Sequence, residues 1–172
     1  MPERMTLDGV NALDRLQFEK AFGHIFEHSP WVATAAHEAR PFASVAALHA
    51  AMVAAVRAAP PAARLSLLRA HPELARPGPL TEASAAEQRS RGLDTLDDED
   101  AARFAALNDA YRARFGFPFI IAVRGQRDRE AIMAALRTRL GHAPAEEEAA
   151  ALAEVAKIAR FRLDDMVTED RA

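Results

Sequence analysis

A histidine ahead of a proline, a glutamate–glutamine pair on a short helix and a glycine- and proline-broken aromatic run are the stretches where chemistry is readable. His71 ends an alanine-rich amphipathic segment and is followed by Pro72 and a loop holding Pro77 and Pro79. A histidine at a helix end beside a loop can exchange protons near neutral pH. It also fits a plainer role, as a terminal cation favoured by the helix dipole. Ser84-Ala85-Ala86-Glu87 has the form of a capping box, which predicts a helix from Ala85 to about Arg91 with Gly92 as its stop. Glu87 and Gln88 are then either ordinary cap and surface groups or polar contacts at a helix start, where free N–H groups suit a carbonyl-rich or anionic ligand. The run FGFPFIIAVRG, 115–125, cannot be a regular helix because of Gly116 and Pro118. It is expected to be buried extended backbone, either apolar filler or a source of N–H and C=O groups for a polar ligand.

Other constellations are weaker. Six histidines stand at 24, 28, 37, 49, 71 and 142, and none forms HExxH. His24 and His28, four apart, could share a helix face as half a metal site, but no third ligand is placed by spacing, so no metal is expected. Asp97–Asp100 lacks the spacing and glycine of a calcium loop and reads as a helix start. Lys157, Arg160 and Arg162 read as a solvated basic face.

These stretches need a scaffold, and the composition supplies one. The 172 residues suffice for one domain, 1–172, with a sizeable core. Alanine is abundant, glycine is scarce at seven, and no alternating run has strand length, so the expectation is all-α. About eight helices are read: from the Asp14 cap to Glu27, Pro30 to about 39, the Ser44 cap to about 58, and Pro61 to about 70. The others run from 85 to 91, 96 to 115, the Asp128 cap to about 140, and 145 to 166. Residues 6–13 are left as an irregular or one-turn start. Ser29 is expected to cap the second helix, Trp31 to anchor the core, and Phe18 to flank the first stripe beside Leu16.

Net charge is −3, so nothing calls for nucleic acid or an anionic membrane surface. No apolar run approaches the roughly 20 residues of a membrane span. The absence of cysteine excludes disulfides and thiolate sites and fits a reducing compartment; with no signal-peptide core at the N-terminus, a cytoplasmic location is expected.

In their order and separations, FEHSPWVA (26–33), RPF (40–42), HPELA (71–75), SAAEQ (84–88), GLD (92–94), FGFPFIIAVRG (115–125) and EVAKIARFRL (154–163) resemble the OHCU decarboxylase family of ureide metabolism. OHCU is 2-oxo-4-hydroxy-4-carboxy-5-ureidoimidazoline. Each piece is weak alone; HPELA, SxxEQ and FGFPFI at these separations are specific, and no key position departs. The resemblance implies an all-helical, often dimeric enzyme that needs no cofactor and converts this small ureide into (S)-allantoin and CO2. It implies His71 as the catalytic histidine and Pro72 beside the substrate. It further implies polar contacts from Ser84, Glu87 and Gln88, and backbone contacts from Phe119, Ile120, Ile121, Ala122 and Val123. Glu87 joins His71 as the expected acid/base pair. A lyase or hydrolase acting on another ureide, or a non-catalytic helical interaction module, would fit the bare residues.

Overall fold

The computed structural model describes residues 3–169. It is helical, as expected, with α1 (Leu7–Ala12), α2 (Arg15–Phe22), α3 (Trp31–His37), α4 (Val45–Ala58), α5 (Pro61–Arg69), α6 (Glu82–Arg89), α7 (Asp98–Phe115), α8 (Arg129–Arg139) and α9 (Pro144–Met166). The chain forms two compact units: one comprises the residues up to Ala70 and those from Ala159 onward, the other His71–Ile158.

In the first unit α3 packs against α2 and α4. Asp14 and Gln17 form the reciprocal cap that starts α2, and Ser44 caps α4. Three local expectations change. The helix from Asp14 stops at Phe22 rather than Glu27, with Gly23 as its cap, because the 23–30 backbone turns on itself while Ile25, Phe26 and Glu27 stay buried. Phe18 is wholly buried and Leu16 is 78% exposed, so Phe18 belongs to the stripe and Leu16 does not. Ser29 does not cap α3; its hydroxyl donates to the Glu27 carbonyl, and Pro30 precedes the helix with no side-chain cap. Trp31 is only half-buried.

Two short features carried no sequence signal. The start at 6–13 is a helix, α1, capped by Thr6. Met5–Thr6 (β1) pairs in parallel with Val167–Thr168 (β2), a ladder too short for alternation to register. Arg162 is buried, donating to Glu27 Oε1 at 2.8 Å and to the Ile25 carbonyl at 3.2 Å, so it is no part of a solvated face. Lys157 and Arg160, by contrast, make helix-surface pairs with Glu154 and Asp164.

In the second unit α7 packs against α8. Asp128 caps α8 as expected, and Asp97, read as part of an acidic helix start, is the cap of α7. The inward stripe of α7 is Phe104, Asn108 and Tyr111. Gly116 adopts the left-handed conformation (φ 78°) that ends α7, a geometry glycine enters without steric cost.

Candidate functional site

α6 begins three residues earlier than the capping-box reading placed it. Thr81 and Ser84 both offer a hydroxyl three residues ahead of helical sequence, and Thr81 takes the role: its Oγ1 accepts from the Ser84 N–H at 3.2 Å. Ser84 therefore lies inside the helix and does not cap it. Ser84 and Gln88, four apart, share one buried face, and Glu87 sits half-buried beside it. This moves Ser84 and Glu87 out of cap duty.

His71 is buried, directly after α5 and its cap residue Ala70. Pro72 beside it is half-buried. The loop that follows is fastened at several points. The Leu74 carbonyl accepts from Asn108 Nδ2 at 2.8 Å, and the Ala75 N–H donates to Gln88 Oε1 at 3.0 Å. Glu73 pairs with Arg112 at 2.9 Å, and Arg76 donates to the Ala105 carbonyl, also at 2.9 Å. Ala75 is held at φ 57°, a region that costs a side-chain-bearing residue roughly 1–2 kcal/mol. The Gln88 bond fixes that conformation and ties the histidine loop to α6. Gln88 Nε2 is buried with no partner among the described residues, so one amide donor is open to a ligand acceptor.

The aromatic run is buried, non-helical backbone, as expected: Phe119, Ile120, Ile121, Ala122 and Val123 are each at most 5% exposed. A 3-10 turn, Val123–Gly125, closes it. α6 packs against this turn, and Arg91 donates to the carbonyls of Arg124 (3.0 Å) and Gln126 (2.6 Å). The histidine loop, the Glu87–Gln88 helix and the aromatic run thus meet around α6. Not every peptide group of the run is available. The Ile120 carbonyl accepts from Arg139 Nη1 at 2.6 Å, and the Ala122 N–H donates to Glu154 Oε2 at 2.9 Å.

Four side chains that support this arrangement escaped the sequence reading. Asn108 was detectable as a polar residue on an apolar stripe. Arg139, Glu147 and Glu154 were not, since arginine at a helix end and glutamate on a helix are ordinary surface patterns.

A cavity of about 440 Å³ is lined by residues including Ala75, Arg76, Leu80, Gln88, Leu93 and Asp94. His71 and Glu87 are not among its lining residues, so it is not where those two groups would act. Among the described residues no three histidine, aspartate or glutamate side chains gather as a metal site. His24 and His28 do not share a helix face, because α2 ends before them and His28 sits at φ 49°.

Residues 11–164 match the family model for OHCU decarboxylase. The chain is similar to the 2-oxo-4-hydroxy-4-carboxy-5-ureidoimidazoline decarboxylase of Haloferax volcanii, at 46% identity over 96% of this chain and 98% of that one. It is 40% identical to the uric acid degradation bifunctional protein PucL of Bacillus subtilis, over 95% of this chain and 33% of that protein. A solved (S)-allantoin synthase superposes with a TM-score of 0.78 at 33% identity, covering 95% of this chain and 54% of that chain.

Proposed function

The chain belongs to the OHCU decarboxylase family and is a carboxy-lyase of that kind, and from this premise we propose how its own residues carry the reaction. The substrate bears a carboxylate and a hydroxyl on one ring carbon, beside a carbon in a C=N bond. As the bond to the carboxylate breaks and CO2 leaves, its electron pair forms a C=C bond with that neighbour, and the C=N pair moves onto nitrogen, which takes a proton. The substrate is its own electron sink, so the reaction asks for no cofactor, in contrast to carbanion chemistry that needs one.

The enol so formed loses its hydroxyl proton and gains a proton at the neighbouring carbon, on one face, to give (S)-allantoin. Two positioned groups suit these transfers. In our reading Glu87 takes the hydroxyl proton and His71 delivers the proton to carbon. Both belong to stretches that meet at α6, and a histidine supplies and accepts protons near neutral pH. Ser84 and the open Nε2 of Gln88 bind the ring amide and ureido oxygens, and Pro72 bounds the substrate beside His71.

Peptide groups of the 119–123 segment pair with the ureide, chiefly those of Phe119 and Ile121 and the N–H of Val123, since the Ile120 carbonyl, the Ala122 N–H and the carbonyls of Ala122 and Val123 have protein partners. The buried apolar side chains of this run favour departure of a charged carboxylate as neutral CO2.

The observation that carries this reading is the Gln88–Ala75 bond, which joins the histidine loop to the helix holding Glu87. To test it, OHCU is generated freshly from urate by oxidation and ring hydrolysis, and the protein is added. Spontaneous decay gives racemic allantoin, so circular dichroism of the product is the signal. Rapid appearance of (S)-allantoin, lost in folded His71→Asn and Glu87→Gln, is expected. Racemic product at the spontaneous rate with the intact protein would sink the reading, and a panel of other ureides would follow.

A further inference from the structure

Behind the aromatic run lies a buried ionic cluster that the reaction as described does not use. Glu147, in the first turns of α9, is 0% exposed. Its Oε1 accepts from Arg139 Nε at 2.6 Å and from the Tyr111 hydroxyl at 2.5 Å, and its Oε2 accepts from His142 Nδ1 at 3.0 Å. Arg139 Nη2 also lies 2.5 Å from Oε1, though without hydrogen-bond alignment. Burial, and then the bond to Glu147, pushes the Tyr111 phenol well above its ordinary range, so it stays a proton donor.

With its carboxylate contacts fixed, Arg139 reaches the run in two ways. Nη1 donates to the Ile120 carbonyl, and the guanidinium carbon lies 4.5 Å from the Phe119 ring centre. From α9, Glu154 holds the Ala122 N–H. Ala122 is extended, and in extended chain the N–H and C=O groups of successive residues point to opposite sides while those of residues two apart share a side. Clamps on Ile120 and Ala122 therefore direct the groups of Ile121 away from α8 and α9.

We propose that Arg139, locked by Glu147, and Glu154 are positioning residues of the decarboxylase: they set the direction of the peptide groups between 119 and 123 that bind the ureide. This rests on the substrate contacts proposed above. A planar fork suits the task, because one guanidinium can satisfy a carboxylate, a carbonyl and an aromatic face together, whereas an ammonium offers a compact point charge with no planar face to stack.

The test uses the full chain with freshly generated OHCU and separates KM from kcat. A partly unfolded preparation lowers apparent kcat at constant KM. A misdirected binding segment raises KM. Arg139→Met is expected to raise KM by about tenfold or more, and Arg139→Lys, which keeps the charge beside Glu147, by a smaller factor that shows partial rescue. Glu154→Ala lies at a half-buried position and covers the case in which Arg139→Met fails to fold; its KM is expected to rise about threefold. Unchanged KM in both Arg139→Lys and Glu154→Ala, with kcat following the folded fraction, would overturn the proposal. Wild-type protein that forms no (S)-allantoin would instead overturn the function on which it rests.

Discussion

Two irregular segments, 23–30 in the first unit and 116–125 in the second, solve the same problem in different ways. Each is an interruption between α-helices with buried apolar side chains, and each is held by a buried arginine paired with a buried glutamate: Arg162 with Glu27, and Arg139 with Glu147. In the first segment the backbone closes on itself. The Ile25 N–H returns to Phe22, the Ser29 N–H to Phe26, and Arg162 gathers the carbonyls of His24 and Ile25. In the second, the arginine takes one carbonyl and a glutamate takes one N–H, and the backbone closes only at the 3-10 turn Val123–Gly125 that ends it. The same ion-pair device holds a closed turn in the first case and, in the proposed reading, a ligand-facing backbone in the second.

Breaking the two pairs gives the largest expected effects. Glu27→Ala and Glu147→Ala each leave a buried arginine uncompensated, and each should cost about 3–5 kcal/mol in denaturant unfolding. Glu147→Ala also strips partners from Tyr111 and His142, so it should be the costlier. In the folded fraction, KM for OHCU should rise only for Glu147→Ala. Equal KM changes in both would erase the distinction.

Gln88→Ala comes next. It leaves the Ala75 N–H without its acceptor, for about 1–3 kcal/mol of lost stability if that group stays dry, and it removes the ureide contact proposed above. Both the unfolding midpoint and kcat/KM should fall. Smaller effects are expected at the left-handed residues, His28 and Ala75. Ala75→Gly removes a conformational strain of roughly 1–2 kcal/mol against an unfolded-state entropy cost of about 0.5–1 kcal/mol. A slight gain in midpoint is expected, with turnover lowered where the loop needs its rigidity. His28→Gly should match the gain and leave turnover alone.

The smallest effect is a pH dependence. Asp128 accepts the Ala131 N–H at the start of α8, and that bond holds its carboxyl below its ordinary value of 3.8. A carboxyl depressed on folding contributes stability that is fully present above its unfolded value and is lost as pH falls through its folded one. Asp128→Asn keeps a cap without the titration. Its unfolding midpoint should therefore fall less steeply than wild type below pH 4.

What could be read from the chain follows from the range of the forces involved. Caps, prolines and glycines act within a few residues, and Asp14, Ser44, Asp97 and Asp128 all start helices where expected. The choice between Thr81 and Ser84 as cap is also local, yet two hydroxyls fit one pattern and only the packing of Gln88 on Ala75 separates them. The aromatic run was legible as buried and irregular because its residue types forbid a helix. Its clamps were not, because Arg139 and Glu147 meet across 8 residues and reach Ile120 over 19 more in the other direction. Arg162, read as solvated, pairs over 135 residues. Helical periodicity carries no trace of such distant partners.

In the proposed reaction His71 delivers the proton that sets the product's hand. The most direct measurement follows CO2 release and circular dichroism together, in one reaction, for intact protein and for folded His71→Asn. The intact protein should release CO2 and form (S)-allantoin in step. With His71→Asn, whatever CO2 is released should be followed by optically inactive allantoin. Full-rate (S)-allantoin from His71→Asn would contradict the assignment and move the proton donor elsewhere.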